Sequence, residues 1–219
     1  MLANYWSEFV TIAVVHLFAV MSPGPDFAVV SKYSFSHGRR TAMWVSVGIG
    51  SGIILHVTYS LVGLALIIHQ TLWLYQLLLC AGALYLGWIG VQAIQAQPRA
   101  AYSAEQAEVR QPSRWRAFLI GFLTNGLNVK ATLFFLALFT TIISPQTPLV
   151  VKMGYGAYLT VATAAWFLTL SWILTHKRWF AVLWRNSHWL DRVMGVLLIL
   201  LAGRLLVELA HSLGFIASA

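Results

Sequence analysis

Two short polar segments carry the residues of this chain that could bind a charged solute. The first reads S-P-G-P-D over residues 22–26, and the second reads T-N-G-L-N-V-K over residues 124–130. They supply one carboxylate, on Asp26, one ammonium, on Lys130, and the amides of two asparagines. Such a set can bind a zwitterion, because an α-amino acid offers both an ammonium and a carboxylate. The alternative is a buried Asp26–Lys130 salt bridge that only holds two halves of the chain together.

The first polar segment should interrupt a helix. Pro23 and Pro25 have no amide hydrogen, so the carbonyls of Ala19 and Met21 lose their helical donors. Gly24, between the prolines, should let the chain bend sharply. An unpaired carbonyl is costly in lipid, so the break must face protein or water. The sequence therefore predicts a cluster of carbonyl acceptors beside the carboxylate.

The second polar segment places two amides on one helical face. Asn125 and Asn128 are spaced i, i+3, which brings their side chains together on a helix. Lys130 follows Asn125 by five positions and would point about 140° away from it on a regular helix. Either the helix unwinds here, or the three side chains do not converge.

The composition indicates a membrane protein. Of the 219 residues, 59% are hydrophobic and only 9% are charged, against about 25% charged in soluble domains. Residues 41–98 contain no Asp, Glu, Lys or Arg, and this interval is long enough for two membrane-spanning helices. The net charge of +8 is better explained by a charge bias towards the cytoplasm than by nucleic-acid binding. Cys80 is the only cysteine, which excludes an intrachain disulfide and a cysteine-rich metal site.

An ionisable side chain at membrane depth marks a functional site. A carboxylate such as that of Asp26 costs at least about 2.5 kcal/mol there, so we expect it to be paired, protonated, or both in turn. His16 lies two turns before the break, and His56 lies midway along the second predicted helix. Either imidazole could relay protons, because it titrates near neutrality. For both histidines we favour the alternative, which is packing with one side-chain hydrogen bond.

Hydropathy predicts six membrane-spanning helices, at residues 8–31, 41–68, 73–96, 115–143, 149–175 and 191–211. Eleven of the fourteen basic residues fall on, or within two residues of, the first, third and fifth connections. Basic connections face the cytoplasm, so both termini should be periplasmic. The polar segment 97–113 is then a cytoplasmic linker between two three-helix repeats, residues 1–96 and 114–219.

The two polar segments occupy matching positions, since one interrupts the first helix of its repeat and the other does the same in the second repeat. An odd number of helices in each repeat requires the two repeats to insert with opposite orientations. Inverted repeats with interrupted helices in corresponding positions are typical of secondary transporters, and the interruptions mark the binding site. The sequence thus predicts an all-α membrane protein with two inverted repeats. The residues predicted to bind substrate or couple its transport are Asp26, Lys130, Asn125, Asn128, Pro23, Gly24, Pro25 and His16.

Other residues are assigned structural roles. Gly48 and Gly52 have the spacing that lets helix backbones approach each other in membranes. Arg204 and Glu208, spaced i, i+4, should form a pair that faces the protein interior. Tryptophans near the predicted helix ends should lie at the membrane surfaces. They are Trp6, Trp44, Trp73, Trp115, Trp179 and Trp189.

At these motifs the sequence resembles the LysE/RhtB family of bacterial amino-acid exporters. The resemblance rests on M-S-P-G-P-D-F at residues 21–27, H-G-R-R-T-A at residues 37–42 and G-F-L-T-N-G-L-N-V-K-A at residues 121–131. The size, the six-helix plan and the linker position fit as well, so it covers essentially the whole chain. Residues 15–27 are most similar to the threonine-exporting branch. Val129 stands where the family usually has the proline of N-P-K, so the break in the fourth helix should be softer.

The resemblance implies a secondary transporter of the bacterial inner membrane that exports small neutral amino acids, threonine or homoserine above all, by proton antiport. Its expected partners are the amino acid, protons and the lipid bilayer, without nucleic acid, metal or cofactor, and a homo-oligomer is compatible with this reading. A passive channel or facilitator for small zwitterions is the alternative. An intramembrane enzyme is not expected, because the chain has no H-E-x-x-H, no G-x-S-x-G and no nucleotide-binding loop.

Overall fold

The structure, a computed structural model of the chain, describes residues 2–70, 72–97, 111–144, 146–174 and 177–214. Within these ranges it contains eight α-helices and no β-strand. In chain order they are α1 (Leu2–Met21), α2 (Pro25–Ser36), α3 (Arg39–Gln70), α4 (Leu72–Ile94), α5 (Arg114–Gly126), α6 (Val129–Thr141), α7 (Leu149–Leu174) and α8 (Lys177–Ser212). Most of the predicted linker, residues 98–110, lies outside the described residues.

The eight helices provide up to six membrane spans. Four helices are long and apolar enough to cross a membrane by themselves, namely α3, α4, α7 and α8. α1 and α2 pass the same test as a pair bent by 52°, and α5 and α6 as a pair bent by 57°. The interrupted spans are the first and the fourth, and both interruptions fall at the predicted polar segments. The prediction of an all-α membrane protein is confirmed, while the inverted-repeat relation stays a prediction.

The predicted helix limits hold for most spans. The second, third and fifth predicted helices correspond to α3, α4 and α7, and the fourth corresponds to the pair α5 and α6. Each agrees to within two residues at both ends. The first span is longer than predicted at both ends, and the sixth begins at Lys177, well before residue 191. Residues 177–190 include Lys and Arg but neither proline nor glycine. Charged side chains do not stop a helix, so hydropathy located the membrane-embedded part of α8 and missed its polar start.

The first break is made by the two prolines. α1 ends at Met21, and α2 begins at Pro25, the helical position where a missing amide hydrogen has least effect. Gly24 precedes it with φ −150° and ψ −163°, an extended conformation that any residue can adopt. The expectation that the bend needs the conformational freedom of glycine is therefore wrong. A Cβ atom at Gly24 would lie 4.0 Å from Nζ of Lys130, an ordinary contact distance, so space does not require glycine here either.

The second break is made without proline. α5 ends at Gly126, and the side chain of Asn128 caps α6 by accepting hydrogen bonds from the backbone amides of Lys130, at 3.1 Å, and Ala131, at 3.4 Å. An asparagine in this position satisfies amides that the start of a helix leaves without partners. The bend of 57° is as large as the 52° of the first pair. The expectation that Val129 softens this break is wrong, because the cap replaces the proline.

Glycines bring α3 and α5 into backbone contact. A Cβ atom at Gly48 would lie 2.0 Å from the carbonyl oxygen of Phe118, and one at Gly121 would lie 1.9 Å from that of Val45. Such distances are far inside van der Waals contact, so both positions require glycine. Gly52, one turn along α3, also lies against α5. The predicted close packing at Gly48 and Gly52 is confirmed, and α5 is the helix that it brings close.

The charged residues near the end of α8 do not form an interior pair. Arg204 is exposed, which contradicts the prediction. A long cationic side chain can lie along apolar surface and place its charge in water near a helix end. Glu208 is half-buried and accepts a hydrogen bond from the hydroxyl of Tyr75 at 3.3 Å. This carboxylate therefore links α8 to α4.

Most of the tryptophans predicted near membrane surfaces are exposed at the outside of the helices. Trp6, Trp73 and Trp115 stand at the starts of α1, α4 and α5 and are each 66% exposed. Trp44 and Trp189 are also exposed, and the side chain of Trp179 lies outside the described residues. These positions suit an indole with an apolar body and one hydrogen-bond donor.

Two clusters of buried apolar side chains lie on either side of the first break. The first apolar cluster includes Ile12 of α1 and Phe135 of α6. The second apolar cluster includes Phe27 and Val30 of α2, together with Phe167 of α7. Because α1 precedes the break and α2 follows it, the polar segment between them lies at the junction of the two clusters. The fold therefore places the two helix breaks in the protein interior, between two apolar layers.

Candidate functional site

A cavity of about 60 Å³ lies at the two helix breaks. Seven of the eight residues predicted for the site line it, and Pro23 is the exception. They are His16, Gly24, Pro25, Asp26, Asn125, Asn128 and Lys130. The structure thus brings the two polar segments together, although they are separated by about a hundred residues of sequence. The remaining wall is largely apolar and comes from α1, α3, α6, α7 and α8.

Asp26 stands in the first turn of α2 and is held by the second polar segment. The side-chain amide of Asn125 donates to its Oδ2 at 2.9 Å, and that of Asn128 donates to the same oxygen at 3.3 Å. The amide nitrogens must face the carboxylate, because a carboxylate oxygen only accepts. The other oxygen, Oδ1, is buried and accepts no hydrogen bond from any residue that the structure describes. A donor supplied from the cavity would complete this carboxylate.

Lys130 lies at the start of α6, after the break between α5 and α6, and its side chain reaches the first polar segment. Its ammonium donates to the hydroxyl of Ser22 at 3.0 Å. Ser22 in turn donates to Oδ1 of Asp191 at 3.3 Å. Ser22 and Asp191 are each only 6% exposed. A hydrogen-bonded chain therefore runs from the ammonium of α6, through the end of α1, to a carboxylate of α8.

Asp191 and Ser22 are candidate site residues that sequence reasoning missed. Ser22 belongs to the first polar segment, yet only the residues after it were assigned a role. Asp191 was placed at the start of the sixth predicted helix, where a carboxylate meets water. Because α8 begins earlier than predicted, Asp191 lies within the helix, and its side chain is buried. The available signal was its charge, because the chain has only six acidic residues and an intramembrane one is a functional candidate.

His56 supports the break in the second polar segment. Its Nε2 lies 2.9 Å from the backbone carbonyl oxygen of Asn125, which also accepts from the backbone amide of Asn128 at 2.9 Å. A carbonyl only accepts, so Nε2 carries the hydrogen, and in the neutral ring Nδ1 then accepts from the hydroxyl of Tyr59. His56 is completely buried. It serves the packing role with hydrogen bonds that the sequence favoured.

Gly52 makes room for the asparagine that binds Asp26. A Cβ atom at Gly52 would lie 2.7 Å from Oδ1 of Asn125 and 2.9 Å from its Cβ. Asn125 is only 1% exposed, so its side chain has little freedom to move away. The glycine of α3 therefore fixes the position of an amide that holds the carboxylate.

His16 lines the cavity from α1 and is paired with a residue that the sequence did not single out. Its Nε2 lies 2.9 Å from the hydroxyl oxygen of Thr163 in α7. His16 is 3% exposed and Thr163 is 1% exposed, and both side chains line the cavity. The imidazole also packs edge-on against the rings of Phe135 and Tyr158. Thr163 could not be selected from sequence, because a threonine in a membrane helix usually bonds its own backbone.

The arrangement is suited to binding rather than to covalent chemistry. Two carboxylates and one ammonium meet at membrane depth, on Asp26, Asp191 and Lys130, and amides and hydroxyls surround them. In the part of the chain that the structure describes, no three His, Cys, Asp or Glu side chains are grouped so that they could hold a metal ion. A cavity with groups of both charges fits a small zwitterion.

Most of the chain matches a known protein family. The family model described as LysE type translocator matches residues 17–209. The chain is 35% identical to the threonine efflux protein of Escherichia coli strain K12 over 190 residues, which cover 86% of this chain and 92% of that protein. It is 34% identical to the threonine efflux protein of Salmonella typhi over 192 residues, again 86% and 92%.

A shorter match connects the chain to a second kind of efflux protein. The homoserine/homoserine lactone efflux protein of Salmonella typhimurium strain LT2 is 34% identical over 129 residues, which cover 58% of this chain and 61% of that protein. No solved structure matches the chain. The similarity to these relatives is therefore a similarity of sequence alone.

Proposed function

The chain belongs to the LysE type translocator family, and from this membership we propose that it exports small neutral amino acids, threonine and homoserine foremost, from the bacterial cytoplasm. The family match covers most of the chain. Two relatives that share about a third of its residues are named threonine efflux proteins, and a third is named for homoserine efflux. The family consists of translocators, so the chain is a transporter and not an enzyme.

The observation that carries the proposal is the pairing of Asp26 and Lys130 around one cavity. Oδ1 of Asp26 is a buried acceptor without a donor in the described residues, and the α-ammonium of an amino acid can supply one. Lys130 lines the same cavity with its ammonium, which can bind the α-carboxylate. Charge-assisted hydrogen bonds of this kind are the stronger class. The site therefore matches the two groups that all α-amino acids share.

The apolar part of the wall limits the size of the substrate side chain. Ile53, Phe134, Phe135, Phe167 and Met194 surround the polar groups. All five also belong to the two buried apolar clusters. In a cavity of about 60 Å³ with this apolar lining, a short neutral side chain fits better than a long or charged one. This restriction supports a small neutral amino acid as the exported species.

The proposed transport cycle opens the cavity to one side of the membrane at a time. The first apolar cluster closes it on the side of α1, and the second closes it on the side of α2. Two close helix crossings support an inverted-repeat relation, since each joins helices in corresponding positions of the two halves. Gly50 of α3 meets Ala164 of α7, and Gly90 of α4 meets Gly195 of α8. Rocking of one half against the other about these crossings would alternate access.

We assign the coupling proton to Asp26, which makes the transporter a proton antiporter of the inner membrane. Its carboxylate can bind either a proton or the substrate ammonium, so the two compete for one group. Asp26→Asn keeps the size and some hydrogen bonding but cannot titrate. This variant is expected to lose proton-driven export and can retain substrate exchange across the membrane. Export by Asp26→Asn at the wild-type rate with an unchanged pH profile would contradict the assignment.

A growth-inhibition panel of dipeptides tests the exported substrate. Cells that overexpress the protein receive dipeptides from which internal peptidases release one amino acid, and resistance identifies an amino acid that is exported. Threonine and homoserine dipeptides are expected to be tolerated, and lysine dipeptides are not. Cells that carry Lys130→Met serve as the control, with membrane abundance measured for both proteins. If the cells are resistant to none of the dipeptides, export is refuted.

An uncoupler distinguishes active export from a passive facilitator. Cells are loaded with threonine, and the intracellular and external concentrations are followed with and without a protonophore. An antiporter lowers the internal concentration below the external one, and the protonophore abolishes this difference. A facilitator only equalises the two concentrations, and the protonophore does not alter its rate.

A further inference from the structure

The polar groups of the cavity form two separate sets. Asp26 and Lys130 are ionisable and lie at the helix breaks, whereas His16 and Thr163 form a separate hydrogen-bonded pair. His16 precedes Ser22 by six residues of α1, and Ser22 is the hydrogen-bond partner of Lys130. Six residues of an α-helix correspond to about 9 Å along its axis. The pair therefore lies towards the end of the cavity that is far from the ammonium.

Thr163 differs from other helical hydroxyl residues in where its hydroxyl is directed. Thr124, Thr140, Thr141 and Thr169 each donate to the backbone carbonyl four residues earlier, which is the usual arrangement in an apolar helix. Thr163 instead bonds to His16 across the cavity wall. A hydroxyl has one donor position and two acceptor positions. One bond to an imidazole nitrogen leaves Thr163 able to bind a second polar group.

We propose that Thr163, together with His16, binds the side-chain hydroxyl of the exported amino acid. The inference rests on the proposed export of threonine and homoserine, which share an α-amino acid head and a hydroxyl on a short side chain. When the carboxylate of a substrate threonine binds Lys130, the threonine can also reach the Thr163–His16 pair. Its length, together with one hydrogen bond of about 2.8 Å at each end, is comparable to the distance between Ser22 and His16. The charged set then recognises any amino acid, and the Thr163–His16 pair selects those with a hydroxyl.

This division predicts how strongly related amino acids are discriminated. 2-Aminobutyrate has the carbon skeleton of threonine without the hydroxyl, and valine replaces the hydroxyl by a methyl group. A protein group that loses its hydrogen-bond partner in a buried site disfavours the analogue. The His16–Thr163 bond persists without the substrate hydroxyl, so the loss is partial. We expect threonine to be exported about tenfold more efficiently than 2-aminobutyrate, the effect of one net hydrogen bond.

Export of threonine and 2-aminobutyrate by Thr163→Val tests the inference. Cells are loaded with each amino acid through dipeptides, initial efflux rates are measured, and the threonine-to-aminobutyrate ratio is compared with that of the wild type. The ratio is expected to fall to about one, through slower threonine efflux and unchanged 2-aminobutyrate efflux. Thr163→Ser keeps the hydroxyl and should keep the ratio. Thr169→Val, on the same helix, removes a hydroxyl that is bonded to its own backbone and serves as the control.

Each outcome decides the matter. An unchanged ratio in Thr163→Val, or equal export of both amino acids by the wild type, overturns the inference while leaving amino-acid export intact. If the wild type exports neither, the proposed function fails and the inference with it. Thr163→Ala is measured in parallel, so that a valine variant that does not reach the membrane is replaced by a second hydroxyl-free variant.

Discussion

At the residue scale, the hydroxyl of Ser22 joins two charged groups that come from different helices. Its only hydrogen is donated to Asp191, so its lone pairs face the ammonium of Lys130. Asp191 thus orients the hydroxyl, and the hydroxyl positions the ammonium. The carboxylate also balances a cation at membrane depth, where an uncompensated charge is costly. We infer that Asp191 positions Lys130 without touching the substrate.

Replacement of Asp191 by asparagine is expected to weaken substrate binding. Asp191→Asn removes the negative charge behind Ser22, and hydrogen bonds to charged groups contribute about 1.5–3 kcal/mol. We expect the KM for export to rise about tenfold, which corresponds to about 1.4 kcal/mol, with the maximal rate little changed. Ser22→Ala should have the same effect, and the double variant should be no worse than either single one, because both changes break one chain.

Two controls separate positioning from general destabilisation. Glu208→Gln removes a different half-buried carboxylate, which is bonded to Tyr75, and Ser46→Ala removes a buried hydroxyl that is bonded to Ser171. Neither group lines the cavity as the structure describes it, so neither variant should alter the KM. A strictly additive double variant, or a change confined to the maximal rate, would contradict the positioning role of Asp191.

Sequence reasoning selected site residues by charge in an apolar context, and this rule has a clear limit. Asp26 and Lys130 interrupt long apolar runs, so their placement in the interior was predictable. Asp191 lies next to other polar residues, and only the real start of α8 shows that it is buried. Thr163 is uncharged and gives no signal. Its importance depends on what it faces across the cavity, which no pattern within one helix records.

At the scale of the elements, the two bent spans reach similar angles by different means. Prolines remove helical donors in the first, whereas a side-chain cap at Asn128 starts a new helix in the second. The sequence therefore predicted both breaks, because each contains residues that are unfavourable inside a helix. It did not predict that the second would be as sharp as the first. The sharpness depends on the hydrogen bonds that the side chain of Asn128 accepts from backbone amides, and not on a proline.

Closing the first break should separate stability from function. Replacement of both Pro23 and Pro25 by alanine allows two further helical hydrogen bonds, each with a net contribution of about 1 kcal/mol. The melting temperature of the purified protein is therefore expected to hold or rise, while export is lost because a continuous helix carries Asp26 away from the asparagines. Pro148→Ala, at the start of α7, is the control. Normal export by the double variant would show that the break is not needed.

The contact of α3 with α5 should be the least tolerant of side chains. Gly48→Ala places a Cβ atom 2.0 Å from the carbonyl oxygen of Phe118, and the backbones of two long helices must then separate. We expect a loss of folded protein in the membrane of several fold. Gly154→Ala is the matched control, because a Cβ atom there meets nothing within 4 Å and alanine favours a helix over glycine by about 1 kcal/mol. Equal membrane abundance of the two variants would contradict the close packing.

At the scale of the whole molecule, the charge distribution predicts the orientation in the membrane. The basic residues cluster on alternate connections. This pattern can be recognised from sequence alone, because it depends only on hydropathy and on the number of Lys and Arg residues in each connection. At the turn between α2 and α3, burial and the charge of Lys32 lower the pKa of His37. His37 is then neutral at pH 7 and adds nothing to the asymmetry. The predicted orientation rests on Lys and Arg, and from it we expect both termini to be periplasmic.

Impermeant thiol labelling tests this orientation together with the inverted relation of the two halves. In a variant that lacks Cys80, Ser103→Cys places a thiol on the linker, and Ser218→Cys places one near the end of the chain. With six spans, the linker follows three of them, so the linker and both termini must lie on opposite sides of the membrane. In intact spheroplasts the thiol at position 218 is expected to react and the one at position 103 to be protected until the membrane is permeabilised. The reverse pattern would overturn the orientation, and equal reactivity at the two positions would overturn the odd number of spans in each half, on which the inverted repeat depends.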